Sequence, residues 1–226
     1  MPYGPLSLPA RIYLLAWNAA RGRATALPGP HFALRAAALA ELAQRELLSD
    51  VGGVVTPVVG GRTGDPALDA LMELVEGSRP RGLHAWMGHH SRAQLAAVRD
   101  QLARDGYLRV KHARLLGLLP ATSYALERSR YVDALRAESR AVLCGPVPVA
   151  EVPEDEAALA VCAATGKIRA VATGQDRVRY RERLDALTDR SGDRSPELRA
   201  LMRKLRRALA AAVAAAEEGR ISAEAD

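Results

Sequence analysis

The chain has 226 residues, of which 49% are apolar, 26% charged and 4% aromatic, and its formal net charge is +6. This length allows one large domain or two small ones with a real core. No window approaches the ~18 uncharged apolar residues of a spanning helix, and the N-terminus lacks a charged segment followed by an apolar run, so a membrane-crossing or signal-led chain is not expected.

With so few aromatic rings, alanine and leucine must fill most of the core, which favours helices. In chain order, "LSLPARIYLLAW" sets Leu8, Ile12 and Leu15 on one helical face, and "NAARGRATALPGP" reads as a loop. "HFALRAAALAELAQRELL" is a helix with Leu34, Ala38 and Leu42 on its buried side, and "SDVGGVVTPVV" suggests short strands turning at Gly52-Gly53. "GRTGDPALDALMELVEG" is a loop leading into a helix, with Asp65 as cap, Pro66 in the first turn, Asp69 at the positive end and Gly77 at the close. "RGLHAWMGHH" is a short helix or turn around Trp86. "SRAQLAAVRDQLARDG" is a helix capped by Ser91, with Leu95, Val98 and Leu102 inward and Gly106 at its end.

"VKHARLLGLLPATSYAL" then reads as a β-hairpin whose tip holds Leu115, Leu116, Leu118 and Leu119, approached by Lys111 and Arg114. Helices are expected from about Ser129 to Leu143, Asp155 to Thr165, Gln175 to Asp189 and Ser195 to Glu218, the last with Leu198, Leu201, Leu205, Leu209 and Val213 inward. A helix followed by a small turn and an apolar strand recurs in "ALAELAQRELLSDVGGVV", "AAVRDQLARDGYLRV" and "AALAVCAATGKIRAV". The fold class expected is mainly α: a single helical domain over 1–226 with one long β-hairpin and a few short strands, and a disordered tail at 219–226.

Charge is unevenly spread. From Lys167 to Arg207 there are 13 basic against 6 acidic residues, a surface that would attract phosphate unless it is simply a solvated helix face. Cys144 and Cys162 form no C-x-x-C pair and read as buried free thiols of a cytosolic chain. His84, His89, His90 and His112 lack metal-ligand spacing, and the motifs of nucleotide, zinc-protease and serine-hydrolase sites are absent. No catalytic residue, metal or cofactor is expected.

The helix-then-hairpin unit from Ser91 to Leu126 could be a winged-helix DNA binder, with Arg92, Arg99 and Arg104 on the exposed face. A wing touching phosphate would carry cations or polar groups at its tip, and four leucines are the wrong chemistry. An apolar tip flanked by cations suits a lipid interface, or a protein partner.

"LRAAALAELAQRELL", "RTGDPALDALM" and "VRDQLARDGYL" before a leucine-rich hairpin resemble the Golgi phosphoprotein 3 family, which includes bacterial members. The resemblance spans essentially the whole chain, and "TGD-x-x-LD" is its most specific piece. It implies a non-enzymatic helical adaptor that binds phosphatidylinositol 4-phosphate and the cytosolic tails of glycosyltransferases. Its headgroup pocket would place Arg35 and Arg92 on the phosphate. A second arginine of that pocket falls on Leu95, and its tryptophan falls near Ala26. Two guanidiniums can still hold one phosphate, but the choice of headgroup should loosen. The expected partner is therefore an anionic phospholipid or phosphoinositide on the cytoplasmic face of a membrane. Protein partners and self-association through the hairpin are expected as well, and nucleic acid is disfavoured. The alternative is a protein-interaction or oligomerisation module without lipid binding.

Overall fold

Ala33, Leu34, Ala36, Ala37, Ala38, Leu39 and Leu42 are all fully buried in helix α2, Pro30–Gln44, which is partly exposed only at His31 and Phe32 in its first turn. A helix apolar on every side belongs inside a protein, and its alanines let neighbouring backbones come close. The computed structural model describes residues 6–26, 28–115 and 119–225, and for 112–115, 119–121 and 224–225 it describes the backbone alone. Around α2 pack α1 (Leu8–Leu15), α5 (Ser91–Arg104), α7 (Glu154–Thr165) and α10 (Pro196–Ala225). At Gly166 the closing turn of α7 lies so close to α2 that an added Cβ would collide with the Cβ of Ala33. α1 is tied to α2 by the Leu8 N–H, which donates to the Glu41 carboxylate at 2.7 Å. Truncating Leu39 or Leu42 here would cost about 2–5 kcal/mol.

Shorter helices complete the shell: α3 (Pro66–Glu76), α4 (Leu83–Gly88), α6 (Ser129–Cys144), α8 (Gly174–Arg179) and α9 (Arg181–Arg190). The strands described form three antiparallel pairs: β1 (Trp17–Asn18) with β2 (Arg23–Ala24), β3 (Leu48–Val51) with β4 (Val54–Pro57), and β5 (Leu108–Leu115) with β6 (Leu119–Leu126). The expected mainly helical fold with a long hairpin and short strands is the fold observed. The Gly52-Gly53 turn forms as expected, both glycines at positive φ (59° and 86°) between the paired Val51 and Val54. Two consecutive positive φ values mark the turn that matches strand twist.

The recurring helix-turn-strand device has a physical identity. α2, α5 and α7 each close with paired bonds from the second and third residues beyond the helix. Leu47 and Glu46 donate to Leu42 and Ala43, Tyr107 and Gly106 to Leu102 and Ala103, and Ile168 and Lys167 to Ala163 and Ala164. The turning residue is left-handed each time: Glu46 at φ 59°, Gly106 at 72° and Lys167 at 58°. This closure satisfies the last carbonyls and buries the next apolar residue. Strands follow only the first two. After α7 the chain turns at once, Val171 and Ala172 donating to Ile168, so the third expected strand does not form.

Other expectations change in detail. Ser91 is the first residue of α5 rather than its cap, its hydroxyl donating to Gly88 O, and left-handed His90 (φ 52°) precedes it. The expected helix Gln175–Asp189 is two helices that meet at Tyr180, the first begun by a reciprocal Thr173–Asp176 cap. α10 continues past Glu218 to Ala225, through residues expected to be a tail. Cys162 is fully buried, which pushes its thiol up to about 12, whereas Cys144 is only partly buried.

"TGDPALD" is a clamp. Asp69 accepts from the Thr63 N–H and hydroxyl, both at 2.7 Å, and from the Gly64 N–H. Asp65 Oδ1 accepts from the Ala67 and Leu68 N–H groups, and Oδ2 accepts from Gln101 Nε2 at 2.9 Å. The motif thus caps α3 and fastens it to α5. Partial burial pushes the Asp69 carboxyl up, but the three hydrogen bonds outweigh it and hold it below its ordinary range. Because the folded pKa lies below the unfolded one, its stabilisation is complete above about pH 4 and fades as pH falls through the folded value. Asp69→Asn should therefore cost about 1–3 kcal/mol at neutral pH in chemical denaturation, and the gap from wild type should narrow below about pH 4. A gap independent of pH would show that the carboxylate charge is not what holds the turn.

Candidate functional site

The amphipathic register of α5 places two sets of residues on opposite sides of the helix: 92, 95, 96 and 99 on one, and 90, 93, 94 and 97 on the other. Each side lines a different cleft. The first cleft, about 590 Å3, receives Arg92 and Arg99 from α5 and Arg21 and Arg23 from the β1–β2 turn. Hydroxyl-bearing Tyr13, Thr25, Thr122, Ser123 and Tyr124 complete much of its wall, and among the described residues no carboxylate lines it. The turn is seated by Gly22, whose φ is 57° and whose missing Cβ would lie 3.0 Å from the Tyr124 carbonyl oxygen. Pro28, Gly29 and Pro30 bring the start of α2 to the same cleft, with no side-chain cap and no acidic residue in the first turn. The helix start adds partial positive charge, although Pro28 and Pro30 have no N–H to donate there.

Arg99 is partly engaged, with Nε 2.9 Å from Asp100 Oδ1 and its guanidinium 4.8 Å from the Tyr124 ring centre. Among the described residues, no carboxylate or hydrogen-bond acceptor engages the guanidinium of Arg21, Arg23 or Arg92. The effect of Arg92 reaches a neighbour: burial, and then its charge, hold His31 below the ordinary imidazole range. Tyr13 is pushed up to about 12 by burial, against the pull of Arg99.

Arg35 lies elsewhere. It has no exposed surface, and it lines a second pocket of about 300 Å3 between α2, α3 and α5, with His90 and Gln94 as the other polar residues. The rest of that lining is Ala67, Ala70, Leu71, Leu74, Ala93 and Ala97. Arg35 and Arg92, expected on one phosphate, line different pockets. Arg35 shares its pocket with α3 and one side of α5, and Arg92 lines the cleft on the other side of α5. Leu95 and Ala26, where a cation and an indole were expected, do line the first cleft. Arg99, one turn beyond Leu95, supplies a guanidinium there instead. Its spacing from Arg92 was a usable signal. Arg21 and Arg23 fall in a glycine-containing loop whose placement no periodicity announces.

The basic C-terminal helices are largely self-neutralised. Lys167 pairs with Glu217, Arg194 with Glu154, Arg199 with Asp193, Arg203 with Asp189, Lys204 with Asp50 and Arg206 with Asp185. Arg183 spends its donors on the Val142 and Val147 carbonyls. Among the described residues no cluster of metal-type ligands occurs, and no helix is long and apolar enough to cross a membrane.

The hairpin rises beside the first cleft, its base held by the Arg109–Glu127 ion pair at 2.7 Å and by the Glu127 N–H donating to Tyr107 O. Its register runs from Leu108↔Leu126 to Leu115↔Leu119. Leu116 and Leu118 lie outside the described residues, and Leu115 and Leu119 are placed by their backbone alone.

A family model described as Golgi phosphoprotein 3 (GPP34) matches residues 8–218. No curated protein matches the chain. Substituting Arg92→Ala is expected to raise the His31 pKa part of the way to its ordinary value in an NMR pH titration, burial retaining the remainder. An unmoved His31 would show that Arg92 does not face this side of α2.

Proposed function

The chain belongs to the Golgi phosphoprotein 3 family, and from that premise we propose that it is a non-enzymatic peripheral membrane adaptor that binds anionic phospholipid headgroups in the arginine cleft. The observation that carries this reading is the convergence of Arg21, Arg23, Arg92 and Arg99 on a cleft with no carboxylate in its wall. Three of these guanidiniums have no protein acceptor among the described residues. A phosphomonoester brings close to two negative charges and three acceptor oxygens, and each charge-assisted bond to it is worth about 1.5–3 kcal/mol. The start of α2 adds the positive end of its dipole to the same cleft.

Phosphatidylinositol 4-phosphate is the headgroup that the family resemblance favours. With Leu95 and Ala26 in the cleft in place of a cation and an indole, selectivity should be looser, so other anionic lipids compete. Leu115, Leu116, Leu118 and Leu119 supply the second signal: the hairpin beside the cleft dips its end into the interface while the arginines stay at headgroup level. Two modest signals together give stable anchoring where one is marginal. The side that binds lipid would face the cytoplasmic leaflet, and self-association and protein partners would build on that membrane-bound state.

Liposome co-sedimentation at low salt tests this. Wild type should bind vesicles containing phosphatidylinositol 4-phosphate or phosphatidylserine and release them as salt rises. Replacing Arg92 and Arg99 with Glu should weaken binding about tenfold or more and remove headgroup preference. Changing the four hairpin leucines to Ser should weaken binding to every vesicle alike. Failure of wild type to bind any anionic vesicle at low salt would refute the reading.

A further inference from the structure

The pocket that holds Arg35 is separate from the arginine cleft and has its own chemistry. Arg35 is completely buried, and Nε and Nη1 of its guanidinium find no hydrogen-bond partner. Beside it, Gln94 is 7% exposed, and neither its Nε2 nor its Oε1 has a partner. A buried charge without a partner is costly, and a second unsatisfied polar group adds to the cost. Burial draws the Arg35 pKa down only to about 10, so the guanidinium remains charged at neutral pH.

We propose that this pocket is a second ligand site that takes a small monocarboxylate with an apolar body, its carboxylate paired with Arg35 and Gln94 at the floor. The pocket holds about 300 Å3, at the small end of ligand sites. Its depth is ordered by exposure: Arg35, Gln94 and Leu71 are buried, Leu74 and Ala97 are partly buried, and Ala70, Ala93 and His90 open to solvent. The anionic head therefore goes in first and the apolar body fills the alanine- and leucine-lined throat. The planar fork of a guanidinium matches the two oxygens of a carboxylate, and the Gln94 amide adds a donor. One buried cation, with no carboxylate or second arginine in the lining, balances a single negative charge and not the two of a phosphomonoester. The apolar lining favours a ligand that is mostly hydrocarbon.

Calorimetric titration of the full chain with octanoate tests the proposal, with acetate, inorganic phosphate and octanol as comparisons. One octanoate should bind per chain, at least about tenfold more tightly than octanol, because octanol lacks the charge that Arg35 requires. Affinity should rise about fourfold per methylene from acetate upward until the throat is full, and inorganic phosphate should bind more weakly than octanoate. Arg35→Met, which keeps the volume and removes the charge, should abolish the preference for octanoate over octanol. Should that variant not fold, Ala97→Phe leaves Arg35 in place, fills the throat and should abolish octanoate binding. Both variants should bind anionic vesicles like wild type, because the arginine cleft is untouched. No measurable octanoate binding, equal binding of octanoate and octanol, or undiminished octanoate binding by the variants would each overturn the assignment.

Discussion

α2 is enclosed by α1, α5, α7 and α10, and its burial from Ala33 to Gln44 is the constraint on which the other elements depend. A helix that can show no side to water needs partners all round, and small side chains let those partners approach closely. This is why α7 must end in a residue without a Cβ at Gly166, and why three helices close with the same left-handed turn that drops an apolar residue into the core. It also makes Arg35 conspicuous. A guanidinium on this central helix, without a carboxylate to answer it among the described residues, turns a packing element into part of a pocket wall.

The arginine-rich composition divides into two populations. Along α9 and α10 and the segment joining them many cations, among them Arg190, Arg199, Arg203, Lys204 and Arg206, pair with aspartates on neighbouring turns and elements, whereas among the described residues Arg181 and Arg207 pair with no carboxylate. Such exposed pairs contribute little stability each, but they cancel the charge that would otherwise draw phosphate. At the junction of the β1–β2 turn, α5 and the hairpin, Arg21, Arg23 and Arg92 are left unanswered among the described residues. Net charge alone therefore overstates the free charge of the C-terminal third, part of which is paired. The hairpin rises beside that cleft, with Thr122, Ser123 and Tyr124 in its wall.

Most helices were legible because their periodicity and caps act locally: Asp65, Pro66 and Asp69 begin α3 as their chemistry dictates, and Gly52-Gly53 turns β3 into β4. The break at Tyr180 and the missing strand after Lys167 were not legible, because each depends on how a turn packs against distant elements. The candidate site was half legible. The α5 arginines announce a basic face, but Arg21 and Arg23 come from a loop with no period. The pairing of Arg35 with Arg92 required knowing on which side of α5 the central helix passes. "TGDPALD", the most specific family motif, is an architectural clamp whose carboxylates are consumed by backbone N–H groups and by Gln101.

The assignment of the headgroup to one cleft is tested most directly by arginine side-chain NMR during titration with a soluble headgroup, glycerophosphoinositol 4-phosphate. The Nε signals of Arg21, Arg23, Arg92 and Arg99 should shift together with a single affinity, while that of Arg35 stays still. Shifts confined to the arginines of α9 and α10, or shifts led by Arg35, would contradict it.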